Sequence, residues 1–187
     1  MNDARTIIQF CGFGGQGIVL ASVIFGTAAV TRAGLEAVQT QSYGSEARGG
    51  ECQAEVIISA EPIVSPLADE VTTLVAMSQQ ALDKYLPRLT AGGMLLYDPE
   101  FVSAPARDDV RAFMVAATAT AAEAGNKLAA NMVMLGYLQH ATGLFTSRAL
   151  EETIRAGVKP ATVALNLNAA RKGMALAQAA NGRKTGE

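Results

Sequence analysis

The chain has 187 residues, of which half are hydrophobic and 17% are charged, and its formal net charge is −2. This length predicts one domain, residues 1–187, with a sizeable core, and the charge balance provides no basic field for nucleic acid. The longest apolar run, around residues 132–138, is too short for a membrane span, and no signal-peptide pattern is visible. We therefore expect a cytoplasmic protein, and the scarcity of charge predicts surfaces buried against other subunits.

The first elements are a predicted strand over residues 5–13 and a helix from Gly17 to about Ala33. Between them, Gly12, Gly14 and Gly17 have the spacing G-x-G-x-x-G. These glycines let the chain reverse tightly, and they leave the amides at the start of the helix open to an anion such as phosphate. A turn with a purely structural role explains the same glycines equally well.

A second strand is predicted over residues 35–41 and a third over 51–59, with a glycine-rich loop, 42–50, between them. The first strand, its helix and the second strand predict a right-handed crossover that joins a parallel pair. No helix fits between the second and third strands, so these two are expected to be antiparallel. The loop leaves the same sheet edge as the glycine turn, and its Arg48 is a candidate for binding phosphate or for pairing with Glu46.

The rest of the chain continues the alternation of strands and helices. Strands are predicted at 71–77, 94–97 and, with a weaker pattern, 112–117, and helices at 79–86, 129–142, 146–157 and 161–180. This order predicts an α/β fold, with a mostly parallel sheet flanked by helices and further helices at the C-terminus.

Several common sites are missing from the sequence. The second strand ends at Gln39, Thr40 and Gln41 and not at the acidic residue that a conventional NAD site uses for the ribose. His140 is the one histidine, and Cys11 and Cys52 stand far apart, which predicts buried thiols in a reducing compartment and no metal cluster. We therefore assign no catalytic residue and no metal ligand, and expect a binding component of a larger assembly.

Three motifs then become informative together: GFGGQGI at residues 12–18, QSYGSEARGG at 41–50 and AEVIIS at 54–59. With later segments at 82–87, 92–93 and 125–136, in unbroken order, they resemble the gamma subunit of 2-oxoacid:ferredoxin oxidoreductases. The resemblance extends from about residue 5 to residue 178 and implies a Rossmann-like fold.

The resemblance also implies an activity. Such enzymes convert a 2-oxoacid and coenzyme A into acyl-CoA and carbon dioxide and pass electrons to ferredoxin. Thiamine diphosphate and Mg²⁺ belong to the alpha and beta subunits, and the 4Fe-4S clusters belong to the beta subunit and, where present, to a ferredoxin-like delta subunit. The gamma subunit contributes to coenzyme A binding and active-site closure, so an isolated chain is expected to be inactive and could self-associate as a homodimer.

The sequence of residues 40–50 is most similar to that of 2-oxoglutarate enzymes, with the pyruvate and branched-chain 2-oxoacid enzymes as alternatives. We expect the coenzyme A phosphates to bind at the turn and the loop, at Gly12, Gly14, Gly15, Gln16, Gly17 and Arg48. Two other readings stay open. In one, the chain is an assembly scaffold that docks a partner through helix 129–142; in the other, it is a free-standing nucleotide-binding oxidoreductase.

Overall fold

A computed structural model describes residues 5–43, 50–103, 105 and 107–184. The strands are β1 (Thr6–Phe13), β2 (Glu36–Tyr43), β3 (Glu51–Ser59), β4 (Val71–Ala76), β5 (Leu89–Tyr97) and β6 (Arg111–Met114). The α-helices are α1 (Ile18–Ala33), α2 (Gln79–Tyr85), α3 (Ala117–Glu123), α4 (Ala130–Thr142), α5 (Ser147–Gly157) and α6 (Val163–Lys184). The strands form one sheet in the order β2-β3-β1-β4-β5-β6.

The sheet is parallel from β1 through β4 and β5 to β6, whereas β3 is antiparallel to both β1 and β2. The predicted α/β fold and the antiparallel pairing of β2 with β3 are confirmed. The prediction that β1 and β2 form a parallel pair is wrong, because β3 lies between them. The link from β2 to β3 is too short for a crossover, so β3 must return beside β2 in the opposite direction.

Helices cover both faces of the sheet. On one face, α1 and α3–α6 pack over a core that contains Ile8, Phe10 and Met132. The Phe25 and Phe145 rings pack there with an interplanar angle of 57° and centroids 4.8 Å apart. On the other face, α2 packs over β1 and β4 and contributes Leu82 to a second buried cluster. Cys11 and Cys52 are buried free thiols, as predicted.

Helix α4 lies at the centre of the helical layer, and every residue from Ala130 to Gln139 is buried. It crosses α6 so closely that a Cβ on Gly136 would overlap the carbonyl oxygen of Ala170, and one on Gly173 would overlap that of Val133. The reading in which this helix docks a partner is therefore wrong, since the chain's own sheet and α6 already cover it.

The element boundaries differ most from the predictions in β5 and β6, and α6 ends at Lys184, beyond the predicted residue 180. Strand β5 begins at Leu89, ahead of Gly92, and its register against β4 shifts between Val71 and Thr73. Strand β6 ends at Met114, because the chain turns there to start α3. None of the helices in the described part of the chain is long and apolar enough to cross a bilayer.

Candidate functional site

The glycine turn lies at the carboxyl end of β1, next to the carboxyl end of β4. The helix that follows β1 packs on one face of the sheet and the helix that follows β4 packs on the other. In open α/β sheets such a switch in helix direction opens a crevice at the strand ends, where ligands bind. The topology therefore points to the gap between Gly15 and Met77.

The side chain of Gln16 holds the turn in shape. Its Oε1 accepts a hydrogen bond from the Phe13 amide at 2.7 Å, and its Nε2 donates one to the Met77 carbonyl at 2.8 Å. A Cβ on Gly12 would overlap Gln16 Oε1, so glycine at position 12 leaves room for this side chain. Gln16 thus connects the ends of β1 and β4 across the crevice.

Two of the turn's amides are already used within the chain. The Gly14 amide donates to the Gly50 carbonyl at 2.9 Å, and the Gln16 amide donates to the Phe13 carbonyl at 3.2 Å. For the amides of Gly15 and Gly17 we find no acceptor among the described residues. The Val19 amide in the first turn of α1 interacts with the buried Cys52 thiol, so the amides of Gly15 and Gly17 are the candidate donors to an anion.

A cleft of about 190 Å³ opens beside these amides. Its walls come from the glycine turn, the residue after β4, the segment after β5, the start of α3 and the entry to α4: Gly15, Gln16, Met77, Phe101, Thr118, Lys127, Leu128 and Ala130. Phe101 and Leu128 are large apolar side chains that remain 45% and 74% exposed. Lys127 is the cation of this lining, so the cleft combines open amides, an ammonium group and apolar walls.

Asp98 supports the far wall of the cleft. It is buried at the end of β5, and its Oδ2 accepts hydrogen bonds from the Thr118 amide at 2.8 Å and the Thr118 hydroxyl at 2.6 Å. Its Oδ1 accepts a third from the Glu100 amide at 3.2 Å. One carboxylate therefore fixes the start of α3 and the segment that carries Phe101.

The second predicted element, loop 42–50, begins and ends at this same edge, because Tyr43 and Phe13 pair with Cys52 and Glu51 at the start of β3. Arg48 lies outside the described residues. The predicted proximity of loop and turn is confirmed at the loop's last residue, whose carbonyl accepts the Gly14 amide.

Glu51, the residue that directly follows this loop, forms hydrogen bonds with α2. Glu51 accepts hydrogen bonds from Lys84 Nζ at 2.8 Å and from the Tyr85 hydroxyl. Burial of the Glu51 carboxyl raises its pKa, but these hydrogen bonds outweigh the burial and hold the pKa below its ordinary value of 4.5. Burial, and then the Glu51 hydrogen bond, raises the pKa of Tyr85 to about 12.

Sequence reasoning found the turn but missed most of the lining. Met77 and Phe101 follow β4 and β5, so strand ends at the predicted edge were a signal that could have found them. Lys127 and Leu128 lie between α3 and α4, more than ten residues after the last strand, so no strand end points to them. Only the packing of α3 and α4 over the sheet brings them close to Gly15. His140 is exposed near the end of α4 and takes no part in the cleft.

Comparison with known proteins adds the decisive observation. A sequence profile of the pyruvate ferredoxin/flavodoxin oxidoreductase family matches residues 7–176. The chain belongs to this oxidoreductase family.

A member from Methanothermobacter thermautotrophicus, 2-oxoglutarate synthase subunit KorC, is 47% identical, with 94% of this chain and 97% of that protein covered. The crystal structure of the keto/oxoacid ferredoxin oxidoreductase gamma subunit of Geobacter sulfurreducens superposes with a TM-score of 0.83 at 38% identity, covering 93% and 99% of the two chains. The 2-oxoglutarate:ferredoxin oxidoreductase of Magnetococcus marinus, determined with 2-oxoglutarate, coenzyme A and succinyl-CoA bound, also gives 0.83, at 27% identity.

These similarities confirm the resemblance to gamma subunits of the 2-oxoacid:ferredoxin oxidoreductases. This member of the family is homologous to a subunit of 2-oxoglutarate:ferredoxin oxidoreductase, an oxidoreductase complex. The superposition covers 94% of this chain but only 31% of the Magnetococcus chain, so the corresponding unit there is part of a longer polypeptide. The relatives of this chain's size, from Methanothermobacter and Geobacter, are each named as a subunit of an oxidoreductase.

Proposed function

We propose that this chain is the gamma subunit of a 2-oxoglutarate:ferredoxin oxidoreductase, present as one gamma-type domain over residues 1–187. The complex would convert 2-oxoglutarate and coenzyme A into succinyl-CoA and carbon dioxide, with reduction of ferredoxin. The observation that carries the choice of substrate is the identity with a 2-oxoglutarate synthase subunit over nearly the full length of both chains.

Within this complex the chain binds part of coenzyme A. In the cleft lining, the Gly15 amide and the Lys127 ammonium group suit a phosphate, and the Gly17 amide follows in the same turn, whereas Phe101 and Leu128 suit an apolar portion of the ligand. Gly12, Gly14 and Gln16 shape the turn, and Arg48 adds a cation from loop 42–50. The cleft, at about 190 Å³, is smaller than the roughly 300–1,000 Å³ of typical ligand pockets, so partner subunits complete the site and close over it.

The redox chemistry belongs to the partners. Thiamine diphosphate with Mg²⁺ is assigned to the alpha and beta subunits, and the 4Fe-4S clusters to the beta subunit and to a delta subunit where one exists. Among its described residues, this chain has no group of three or more His, Cys, Asp or Glu that could hold a metal ion. An isolated chain would be inactive, and its free cysteines suit the cytoplasm.

The test compares Gly15→Asp with Gly15→Asn in the assembled complex. The two variants share the same backbone strain at φ 99°, and both side chains have open space, so they differ mainly in charge. We expect Gly15→Asp to raise the KM for coenzyme A about tenfold or more over Gly15→Asn, because a carboxylate repels a phosphate there. Decarboxylation of 2-oxoglutarate without coenzyme A should be equal in both.

An equal KM for coenzyme A in the two variants would remove the phosphate site from the proposal and leave the chain an assembly role. Substrate choice is read separately: a complex that turns over pyruvate or a branched-chain 2-oxoacid faster than 2-oxoglutarate would replace the proposed substrate.

A further inference from the structure

The most exposed large apolar side chains of the described chain lie together on one loop. Residues 60–70 connect β3 to β4, and within this docking loop Val64 and Leu67 are 90% and 81% exposed. Each follows a proline closely, Pro62 and Pro66. Proline restricts the unbound conformations of a loop, so less conformational entropy is lost when such a loop binds.

Arg88 anchors the C-terminal end of the docking loop to the sheet, whereas Val64 and Leu67, which form the tip of the loop, project into solvent. The Arg88 guanidinium donates to the carbonyls of Ala68 and Asp69, and the same group forms an ion pair with Glu55 at 2.9 Å and donates to Gln9 Oε1 at 3.0 Å. Glu55 and Gln9 are buried in β3 and β1. The sheet itself therefore positions the loop, which is the arrangement of a preformed binding element.

The charged side chains of the loop itself all have the same sign. Glu61, Asp69 and Glu70 are exposed along the loop, which contains no Lys or Arg. Among the described residues, none of these three carboxylates has an ion-pair partner. A surface that fits this loop must offer an apolar pocket with cationic side chains around it.

We propose that the docking loop inserts Val64 and Leu67 into an apolar pocket with a basic rim on another subunit of the same enzyme complex. The proposal rests on the proposed function for the identity of the partner, but its geometry is independent of the coenzyme A cleft. The loop leaves β3 at the edge opposite the glycine turn, nine residues away, roughly 25–30 Å along the strand.

The three carboxylates of the loop, Glu61, Asp69 and Glu70, which we call the acidic rim, argue against two other binding partners for this loop. In a symmetric contact between two copies of this chain the carboxylates of both loops would face each other and repel. An anionic bilayer surface would repel them as well. A subunit with a complementary basic rim gains both the burial of two apolar side chains and the charge attraction.

The experiment measures association of this chain with the remaining subunits, co-expressed without it, by isothermal titration calorimetry. Val64→Asp and Leu67→Asp are each expected to weaken association at least tenfold, whereas Val64→Ile keeps the apolar surface and should bind like the wild type. Because both side chains are exposed, all variants should keep the wild-type circular dichroism spectrum and Tm. Association of all of them at wild-type affinity would overturn the proposal.

A second series tests the charge. Neutralising the rim with Glu61→Gln, Asp69→Asn and Glu70→Gln together should weaken association and reduce its dependence on salt. An unchanged salt dependence would contradict the basic rim. Loss of self-association of the isolated chain in Val64→Asp, with binding to the other subunits intact, would assign the loop to a second copy and overturn the proposed partner.

The outcomes also separate this proposal from the function on which it rests. If the wild-type chain does not bind these subunits at all, both proposals fail. If it binds and the loop variants bind equally well, only the role of the docking loop fails. In a third outcome, the loop variants lose binding, but Gly15→Asp in a chain with an unaltered docking loop has the same KM for coenzyme A as Gly15→Asn. The docking surface is then supported and the coenzyme A site is rejected.

Discussion

Asn131 Nδ2 donates a hydrogen bond to the carbonyl oxygen of Gly17, 3.1 Å away, and occupies the space that a Cβ on Gly17 would need. This contact joins the first turn of α4 to the start of α1. Because Lys127 and Leu128 lie just ahead of α4, it also sets the width of the cleft beside Gly15.

Gly17→Ala is expected to destabilise the protein by about 2–4 kcal/mol, because a left-handed φ of 72° is unfavourable for alanine and the new methyl group displaces Asn131. Urea unfolding followed by circular dichroism measures the difference. Gly15→Ala is the control: it is also left-handed but meets no atom within 4 Å, so we expect a loss of about 1–2 kcal/mol. Equal losses would contradict the role of Asn131.

The close crossing of α4 and α6 predicts that alanine at Gly136 or Gly173 is destabilising. Alanine in a helix ordinarily gains about 1 kcal/mol over glycine. Here each new Cβ would overlap backbone of the other helix, so the helices must move apart, and we expect each variant to lose about 2 kcal/mol or more. Thermal unfolding of both variants, with the exposed α6 substitution Asn168→Ala as the control, tests this; a raised Tm for Gly136→Ala would contradict it.

The contact of Glu51 with Lys84 and Tyr85 predicts a pH-dependent contribution to stability. Since the folded-state pKa of Glu51 lies below its ordinary value of 4.5, the contribution is fully present above that pH and disappears as the pH falls through the folded-state pKa. Glu51→Gln should therefore be less stable than the wild type by about 1 kcal/mol at pH 7, and the two should converge in acid. Urea unfolding at several pH values measures this, and a gap that is constant with pH would contradict the assignment.

The hydrogen bonds of Asp98 predict that two substitutions destabilise the protein to different extents. Thr118→Val removes one hydrogen bond to a buried carboxylate and should cost about 1.5 kcal/mol, whereas Asp98→Ala removes three and should cost about 3 kcal/mol or more. Urea unfolding gives both values. In the assembled complex Asp98→Ala should also raise the KM for coenzyme A, because the segment with Phe101 loses its support. An Asp98→Ala loss no greater than that of Thr118→Val would show that Asp98 does not organise this wall.

Local patterns predicted most of the elements correctly. The turn between β1 and α1 follows from glycine spacing, and the end of α1 from Gly34, which adopts the left-handed conformation there. The bounds of β3 were predicted to the residue, since alternating side chains define a strand without reference to its neighbours. The α/β class follows from the order of these elements.

The pairing of strands and the lining of the cleft depend on contacts between distant segments. No local pattern indicates that β3 separates β1 from β2, or that the chain's own sheet and α6, and not a partner, cover the apolar helix α4. Likewise, Lys127 meets Gly15 only because α3 and α4 pack over the sheet. Sequence by itself determined the elements, the glycine turn and the family resemblance, because these are encoded in neighbouring residues. Tertiary structure alone decided the sheet order, the cleft and the projecting docking loop, because packing between remote residues selects them.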